Sequence, residues 1–326
     1  MIGHGKRTGV PRGNDGIVMK RRTSKRFVEQ EIKAFLSAPS YDETFIPGKS
    51  RDVSRPKITV VTPSYNQAEF LERTILSVLN QNYPNLEYIV IDGGSTDGSV
   101  DIINKYAKHL TYWVSEKDRG QSDAINKGFS QATGDLAAWQ NSDDIYFPGA
   151  LERVARAYAK TPGIDIYFGN MYTIDRDDNI LHELRYTPFS VYSLLYDGWN
   201  ITNQSAFFRS GMVREYSFNE GYRYAMDGDF FVRAGRDKRT FKFIHAPLGA
   251  LRIHAKAKGE TISGSVGVSE WAQIRRRAGI ETREDLPWER QYRLRKAICK
   301  ARKLFYYAIQ GDIDYIVRRA RGLLRG

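Results

Sequence analysis

The sequence predicts an α/β fold in which a mostly parallel sheet is flanked by helices and followed by a basic helical C-terminal region. Three observations carry this prediction. Short β-branched runs alternate with segments whose apolar residues recur at helical spacing. The segments that join the strands are long enough for the helical crossovers that parallel pairing requires. Positive charge is concentrated at the two ends of the chain.

The central region supplies the strands and helices. In its first part, strands are predicted at 57–63, 86–92, 111–115 and 136–139, and helices at 67–81, 97–108 and 122–132, with a fourth helix starting near Pro148. After residue 160 the pattern is less regular, with strands predicted at 165–173, 204–208, 241–244 and 248–253 and helices at 190–196 and 226–234. Near the N-terminus, apolar residues between Phe27 and Leu36 predict one amphipathic helical segment.

Charge divides the 326-residue chain into three parts. Residues 1–56 carry 12 Lys and Arg against 6 Asp and Glu, residues 271–326 carry 15 against 6, and residues 57–270 carry 23 against 26. We therefore expect a basic N-terminal extension (1–56), a catalytic domain (57–255) and a basic helical C-terminal region (256–326). Basic ends on an acidic centre favour an anionic surface as a partner. Nucleic acid is the less favoured surface, because zinc-finger and RNP signatures are absent from the sequence.

Cysteine usage and hydropathy indicate the compartment. The single cysteine, Cys299, excludes an intrachain disulfide and fits a reducing environment. The apolar runs are far shorter than the roughly 18 residues of a membrane span, and the basic N-terminus lacks the apolar segment of a secretory signal. We expect a cytoplasmic protein that can also lie peripherally at the inner face of a membrane.

Four polar clusters follow the first four predicted strands, at 62–66, 92–97, 116–123 and 141–144. Because the carboxyl ends of parallel strands share one edge of the sheet, and ligands bind beyond that edge, we expect these clusters to meet there. Folding alone does not require such a convergence. This edge is therefore the predicted ligand site.

Three of these clusters have a chemical and a simpler structural interpretation. The oxygens of 141–144 suit a hard cation such as Mn²⁺ or Mg²⁺, or form a polar turn in which Asp144 interacts with the N-terminus of the following helix. Asp92 either accepts hydrogen bonds from a base or ribose, or belongs to a strand–turn–helix joint that Asp97 caps. The segment 116–123 either lines a pocket or is a solvated loop.

A further segment opens the helix predicted at 226–234 with two carboxylates. Asp227 and Asp229 stand at positions i and i+2, so they do not share a helix face and we expect them to have different tasks. One could be a general base and the other a cap or a partner of Arg233. The simpler interpretation is a capped helix with an Asp229–Arg233 ion pair.

Taken together and in this order, the motifs resemble the family 2 glycosyltransferases, which are inverting nucleotide-sugar enzymes of GT-A fold. The resemblance covers about residues 57–254 and rests on ITVVTPSYNQAEFLERTILSVLNQNYPNLEYIVIDGGSTDGS, SEKDRGQSDAINKGFSQATGDLAAWQNSDD, NQSAFFRS and YAMDGDFFVRAG. It implies a Rossmann-like GT-A sheet, a nucleoside-diphosphate sugar donor (expected to be UDP-linked) and a carbohydrate or lipid-linked hydroxyl acceptor. It also implies Mn²⁺ or Mg²⁺ as cofactor, and bacterial cell-surface polysaccharide or glycolipid synthesis as the setting.

The resemblance assigns roles residue by residue. Asp143 matches the metal-binding aspartate of the family's Asp-x-Asp motif, whose first acid is Asn141 here. Asp227 matches the aspartate that deprotonates the acceptor hydroxyl. His254 lies where related transferases carry a histidine near the metal or the diphosphate, and a structural histidine is the alternative. Contacts with the nucleotide sugar are expected from Thr62, Pro63, Tyr65, Asn66, Asp92, Gly120, Gln121, Asp123, Asn141 and Ser142.

The C-terminal region places apolar residues at helical spacing among Lys and Arg: Leu294, Ile298, Ala301, Phe305 and Ile309, then Ile313, Ile316, Val317, Ala320 and Leu324. Such helices bind an anionic membrane surface, or they pack on the catalytic domain and present their charges to water. Both interpretations remain open at this point. The Gln-x-x-Arg-Trp motif and the membrane spans of processive synthases are absent from the sequence, which favours transfer of one sugar per encounter.

Two other classes remain as alternatives. A nucleotidyltransferase would use a similar sheet but usually shows a Gly-rich basic loop for a triphosphate, and 62–66 has no such loop. A catalytically silent nucleotide-binding protein would keep the fold but would have little use for Asp227 together with the 141–144 cluster.

Overall fold

The computed structural model describes residues 25–41, 44, 55–280 and 286–323. In this part of the chain one mixed sheet contains the strands β1 (Ile58–Ser64), β2 (Leu86–Asp92), β3 (Tyr112–Ser115), β4 (Leu136–Trp139), β5 (Ile145–Tyr146), β6 (Ile166–Ile174), β7 (Ile180–Leu184), β8 (Ala206–Arg209) and β9 (Phe241–Arg252). Their order is β3-β2-β1-β4-β8-β6-β9-β5, with β7 paired to β6. The pairs β1–β2, β1–β4, β2–β3 and β6–β9 are parallel, and the other pairs are antiparallel.

Helices cover both faces of this sheet and form the two ends of the described chain. They are α1 (Lys25–Ser37), α2 (Ala68–Leu79), α3 (Ser99–Tyr106), α4 (Gln121–Ser130), α5 (Ala150–Lys160), α6 (Val191–Asp197), α7 (Ser210–Glu215), α8 (Met226–Arg236), α9 (Lys258–Thr261), α10 (Val268–Arg277), α11 (Leu286–Ile309) and α12 (Ile313–Leu323). The predicted α/β architecture is therefore confirmed, and the four strands at the start of the domain lie within one or two residues of their predicted bounds.

Side-chain alternation explains why the first strands are continuously apolar. In β1, Val60 packs into a core with α2 and α5, whereas Val61 packs into a second core with α4 and α8. Tyr88 and Ile89 of β2 divide between the same two cores. Successive strand residues point to opposite faces, so a strand covered by helices on both faces needs apolar residues at every position.

The second half of the sheet differs from prediction at β7, which the sequence analysis does not predict, and at β9. The strands expected at 241–244 and 248–253 are one strand, β9, which pairs with β6 along its whole length. The register shifts twice, around Asn170, and there β9 passes through His245, Ala246 and Pro247. Pro lacks the N–H that a regular ladder requires, and the irregularity accommodates it without ending the strand.

Both ends of the described chain pack on the domain. The predicted N-terminal helix exists as α1, which buries Val28, Ile32 and Leu36 in a cluster with residues of β5, β6 and β9. At the other end, α11 contacts α6, where Tyr292 packs on Tyr196 and Lys303 pairs with Asp197, and Cys299 of α11 is buried. The basic stretch before α1, and Leu324, lie outside the described residues. The domain boundaries remain predictions.

Candidate active site

A cavity of about 750 Å³ lies at the carboxyl-end edge of the parallel strands. The loops after β1, β2, β3 and β4 all contribute to its lining, together with residues 220–223, 251–252 and 256–259, whereas His254 is outside the lining. Part of the predicted nucleotide-sugar set lines it: Pro63, Tyr65, Gly120, Gln121, Asn141 and Ser142, together with Asp143. The sheet therefore brings the predicted clusters to one place, and the cavity has the size of a small-molecule site.

Gln121 connects the walls of this cavity through both ends of its side-chain amide. Its Nε2 donates to Asn141 Oδ1 at 2.7 Å, and its Oε1 accepts from Lys258 Nζ at 2.7 Å. Gly120, which precedes it at φ 117°, supplies a backbone conformation that other residues rarely adopt. The N-terminus of α4 thereby opens on the cavity, where its free N–H groups favour a negatively charged ligand.

Asp144 is buried rather than placed at the following helix, contrary to the simpler interpretation of the 141–144 cluster. Its side chain accepts from Asn141 Nδ2 (3.0 Å), Gln204 Nε2 (2.8 Å) and the backbone N–H of Arg252 (2.8 Å). Burial, and next the charge of Asp143, raise the pKa of Asp144 above its ordinary value. Asp144 therefore fixes the shape of the loop from inside, and Asp143, whose side chain is 20% exposed, is the more accessible carboxylate of the two.

Arg252, at the end of β9, binds the backbone of the same loop. It is fully buried, donates from Nε to the carbonyl oxygen of Asp143 at 2.8 Å, and pairs with Asp178 at 2.7 Å. Its guanidinium also lies over the ring of Phe70, 5.1 Å from the centroid. Sequence reasoning missed this residue, because nothing in the local sequence distinguishes it from an exposed arginine.

Asp143 and His254 form the arrangement that could hold a metal ion. His254 Nε2 lies 3.1 Å from Asp143 Oδ2, and the ring of His254 packs against Phe70. Two neighbouring ligands of an octahedral cation, each about 2.1 Å from the ion, are about 3 Å apart, so this spacing fits a shared Mg²⁺ or Mn²⁺. Within the described residues no group of three or more His, Cys, Asp or Glu side chains could hold a metal. A cation here would need its remaining ligands from water and from the phosphates of a substrate.

Asp227 lies in the first turn of α8, beside this cavity but outside its lining. Burial raises the pKa of Asp227 to about 6, while the Gly228 N–H and the charge of Lys258 act in the opposite direction. A carboxylate with this pKa is ionised at neutral pH and is more basic than an ordinary aspartate. These are the properties of a general base that works near neutrality.

The carboxylate of Asp229 is paired with a side chain of its own helix. Its Oδ2 accepts from Arg233 Nε at 2.8 Å, the i,i+4 pair anticipated from the sequence, and its side chain is almost fully buried. This partner leaves Asp227 as the carboxylate of the pair that has no cationic side chain bonded to it among the described residues.

Four of the predicted nucleotide-sugar residues do not line the cavity. Asp92 differs from the expectation of a free carboxylate, because its oxygens accept from the N–H groups of Gly94 and Ser95 and from the hydroxyls of Ser95 and Ser115. Asp123 accepts from Arg119, Thr62 contacts Tyr88, and Asn66 bonds to residues 95 and 96. These residues hold the loops together in this structure, and their direct contacts with a ligand stay predictions.

Lys258 is a candidate functional residue that the sequence analysis missed, although its position near His254 could have suggested it. It follows His254 in a short basic run, lines the cavity, and donates to the Arg223 carbonyl as well as to Gln121. Its charge interacts with both Asp143 and Asp227. One lysine therefore lies within electrostatic range of the candidate metal ligand and of the candidate base.

The chain is a glycosyltransferase by family: it belongs to glycosyl transferase family 2, which it matches over residues 59–219. It is 32% identical over 185 residues to an uncharacterised glycosyltransferase of Mycobacterium tuberculosis, covering 56% of this chain and 70% of that protein. It is 38% identical over 104 residues to TuaG of Bacillus subtilis, named as a candidate teichuronic acid biosynthesis glycosyltransferase, covering 30% of this chain and 40% of TuaG.

Two solved structures share the fold. One is residues 1–349 of TarS from S. aureus in complex with UDP-GlcNAc, with a TM-score of 0.53 and 18% identity over 68% of this chain and 64% of that chain. The other is the mannosyltransferase PcManGT from Pyrobaculum calidifontis in complex with GDP-Man and Mn²⁺, with a TM-score of 0.51 and 19% identity over 92% of this chain and 87% of that chain. The fold is therefore that of the GT-A glycosyltransferases, as the sequence predicted.

Proposed function

We propose that this protein is an inverting glycosyltransferase that moves one sugar from a nucleoside-diphosphate sugar to a hydroxyl acceptor. The observation that carries the proposal is the position of Lys258, whose charge acts on both Asp143 and Asp227 from the lining of the cavity. This cavity is large enough for a nucleotide sugar, and the candidate metal ligand and base are both close to it. A uridine-linked donor is proposed on the likeness to TarS with bound UDP-GlcNAc.

Inversion requires a single displacement at the anomeric carbon. Asp227 takes the proton of the acceptor hydroxyl as the oxygen attacks, and its pKa of about 6 keeps it ionised for this task at neutral pH. The nucleoside diphosphate leaves on the opposite face of the sugar. Lys258 and the N–H groups at the start of α4 are preorganised donors for the charge that develops on it.

Metal dependence forms part of the proposal. Asp143 and His254 would hold Mn²⁺ or Mg²⁺, and such an ion would offset the negative charge of the departing diphosphate. Asn141 is engaged by Gln121 and Asp144 through both ends of its amide, so it orients the loop and is not proposed as a ligand of the ion. The Mn²⁺ complex of PcManGT supports this assignment.

The setting that we propose is cell-surface polysaccharide or glycolipid synthesis at the cytoplasmic face of a membrane. The polysaccharide pathway is proposed on the likeness to TuaG, which is named for teichuronic acid biosynthesis. The exposed apolar residues of α11 and α12 support peripheral contact with a membrane, and no helix in the described ranges is long and apolar enough to cross one. A lipid-linked carbohydrate is the acceptor that would join these two features.

Nucleoside diphosphate release tests the proposal. Purified protein is incubated with UDP-, GDP- and dTDP-sugars, with Mn²⁺, Mg²⁺ or EDTA, and the released diphosphate is measured. Thermal unfolding with the free diphosphates provides a second readout, since a ligand that binds only the native state raises its apparent stability. We expect release and stabilisation with one base, both dependent on the metal. The absence of both for every nucleotide would refute the assignment.

A further inference from the structure

A buried carboxylate on α10 binds the backbone just before the candidate base. Glu270 is 5% exposed, and its two carboxylate oxygens accept three consecutive N–H groups, from Arg223 (2.7 Å), Tyr224 (2.9 Å) and Ala225 (2.8 Å). Buried backbone N–H groups need acceptors, and hydrogen bonds to a carboxylate are stronger than bonds to a neutral oxygen. One side chain therefore fixes the course of residues 223–225.

The last of these residues, Ala225, begins α8. It is the N-cap residue of the helix, its methyl side chain cannot cap, and its carbonyl oxygen accepts the N–H of Asp229 at 2.9 Å. Asp227 lies two residues further on, in the first turn. The bond from Ala225 to Glu270 thus fixes where α8 starts, and the place of the Asp227 carboxylate depends on it.

Lys258 binds the same segment from the cavity. Its Nζ donates to the carbonyl oxygen of Arg223 at 3.1 Å and to Gln121 Oε1 at 2.7 Å. The backbone of Arg223, which lines the cavity, is therefore bonded at its N–H by α10 and at its carbonyl by α9. These two bonds connect the start of α8 with the wall of the cavity that Gln121 belongs to.

The residue before α10 packs against the same segment. A Cβ added to Gly267 would lie 2.7 Å from Tyr224 Cδ1 and 2.9 Å from Tyr224 Cε1. Gly267 has φ −60° and ψ −43°, a conformation that alanine adopts without strain, so only the contact with Tyr224 would change in Gly267→Ala. This position therefore offers a way to displace the segment that leaves Glu270 itself intact.

The simpler interpretation of Glu270 is that it satisfies three buried N–H groups and stabilises the fold. It makes no ion pair with a described residue, although its charge interacts with that of Lys258. Burying a carboxylate is costly unless its hydrogen bonds compensate. A purely structural acceptor and a residue that sets the place of Asp227 differ in one measurable respect, which is whether the carboxyl of Asp227 responds when Glu270 is altered.

We propose that Glu270 is a positioning residue for Asp227: through the backbone of residues 223–225 it keeps the Asp227 carboxylate in its place beside the cavity. The inference rests on the proposed function, in which Asp227 is the base, and adds a residue that touches no substrate. Glu270 lies outside residues 59–219, so the match to the family assigns it no role.

The kinetic test compares Glu270→Gln with Glu87→Gln. An amide has one acceptor oxygen, so glutamine at 270 loses at least one of the three bonds. Glu87 is the matched control, because it is a buried glutamate of β2 that accepts the N–H of Thr133 at 2.7 Å and lies outside the cavity lining. The probe is the hydrolysis of UDP- and GDP-sugars, in which water replaces the acceptor and the released diphosphate is measured.

Glu270→Gln should lower kcat at least about tenfold and change the donor KM less than about twofold, because part of the contribution of a general base is lost while the donor site is kept. Gly267→Ala should act in the same direction. Glu87→Gln should lower Tm and leave both kinetic constants unchanged.

Carbon-13 NMR of the Asp227 carboxyl separates this inference from the proposed function. The signal is assigned by its absence from Asp227→Asn and followed as the pH is lowered. Burial raises this pKa to about 6, and a less buried carboxyl has a lower pKa, so the midpoint should fall in Glu270→Gln and Gly267→Ala but not in Glu87→Gln. Lys258 and Tyr224 also interact electrostatically with Asp227, and neither is substituted in these variants.

A folded Glu270→Gln protein with unchanged kcat and an unchanged Asp227 midpoint would overturn the inference and leave Glu270 a structural role alone. If this variant does not fold, Gly267→Ala decides by the same two readouts. A lowered midpoint in these variants, with no diphosphate released by the unaltered protein, would refute the proposed function and still support the placement of Asp227 by Glu270.

Discussion

Asp227 and Asp229 show how surroundings separate two carboxylates that the sequence places side by side. Asp229 is paired with Arg233, whereas Asp227 is partly buried beside a cavity and has a raised pKa. We expect Asp227→Asn to lower transfer by at least about 10²-fold, because general base catalysis contributes about 10²–10⁴-fold. Donor and metal affinity should stay unchanged, since Asn preserves the size of the side chain.

Asp229→Asn is the matched control for this prediction. It removes the same charge two residues away and should weaken only the pair with Arg233, with much less effect on the transfer rate. Rates and nucleotide affinities of the two variants are measured side by side. If Asp229→Asn is inactive with normal donor binding and Asp227→Asn is active, the two roles have been assigned the wrong way round.

The pH dependence of transfer should report the ionisation of Asp227. Because burial raises its pKa to about 6, the base becomes protonated as the pH falls through that value, and kcat/KM should then fall about tenfold per pH unit. The charge of Lys258 lowers this pKa. Lys258→Met should therefore move the acid limb to higher pH, and Lys256→Met should leave its position unchanged. A limb that does not move in Lys258→Met would contradict this electrostatic link.

Asp143 is predicted to be necessary for the metal rather than for the fold. It is part of the cavity lining, and its neighbour Asp144 makes the internal hydrogen bonds of the loop. Asp143→Ala should abolish Mn²⁺-dependent turnover and weaken Mn²⁺ binding measured by calorimetry in the presence of UDP. Glu220→Ala, which removes another carboxylate from the cavity lining, should retain Mn²⁺ binding. Unchanged Mn²⁺ affinity in a folded Asp143→Ala protein would exclude this metal site.

At the scale of elements, the sequence predicts the strands with continuous apolar runs and misses β5 and β7. β1 and β2 are recognisable because every residue is buried and a polar cluster follows each strand. β5 has two residues, and β7 has one fully buried residue in five, so neither leaves a periodic signal. Local sequence also cannot reveal Glu270, whose three partners lie more than 40 residues away, or the burial of Arg252.

The same limit applies to the site. Spacing within 141–144 could not show which carboxylate is buried. That depends on Gln204, from the segment before β8, and on Arg252, from β9. The resemblance to a family assigns roles to Asp143 and Asp227, which stay predictions, but it could not show that Asp92 is enclosed by its own turn. Site residues are predictable where a motif is local, and their surroundings require the tertiary structure.

Two substitutions in the helix α1 test whether the N-terminal segment packs on the domain. Ile32 is 1% exposed and packs in the cluster with β5, β6 and β9, whereas Phe27 on the same helix is 56% exposed. Ile32→Ala should lower the free energy of unfolding by about 2–5 kcal/mol, the usual cost of removing a large aliphatic side chain from a core. Phe27→Ala should change it by less than about 0.5 kcal/mol. Equal effects in denaturant titrations would mean that α1 does not pack as described.

At the scale of the whole molecule, the structure agrees with the packing interpretation of the C-terminal helices, and membrane binding stays a prediction. One face of α11 packs on the domain, where Arg295 bonds to the Tyr196 hydroxyl and Cys299 is buried. The predicted apolar stripe lies on another face and is open to solvent: Leu294 is 62% exposed and Phe305 is 69% exposed. Ile298, Leu304, Ile309, Ile313 and Val317 are also exposed.

The charges beside this stripe indicate what could cover it. Arg293, Lys296, Lys300 and Arg302 are exposed on the same helix, and residues 271–326 carry 15 Lys and Arg against 6 Asp and Glu. A second copy of the chain would bring like charges together, and the basic residues 1–24 would do the same. An anionic bilayer offers opposite charge at its surface and an apolar interior for the stripe, which is the arrangement of interfacial helices.

The last prediction therefore concerns membrane binding by the intact protein. It should sediment with vesicles of phosphatidylcholine and phosphatidylglycerol, less with pure phosphatidylcholine, and less again as salt is raised, because each Lys or Arg near an anionic surface contributes about 1 kcal/mol that ions screen. Ile298→Ser with Phe305→Ser should reduce binding at least about tenfold, since burial of one such side chain is worth about 1.5–3 kcal/mol. Both residues are at least half exposed, so folding should be preserved.

Tyr112→Ser, which removes an exposed aromatic side chain from β3, is the control. Unaltered vesicle binding in the double variant, or a dimer in sedimentation velocity that the double variant dissociates, would show that something other than a bilayer covers the stripe.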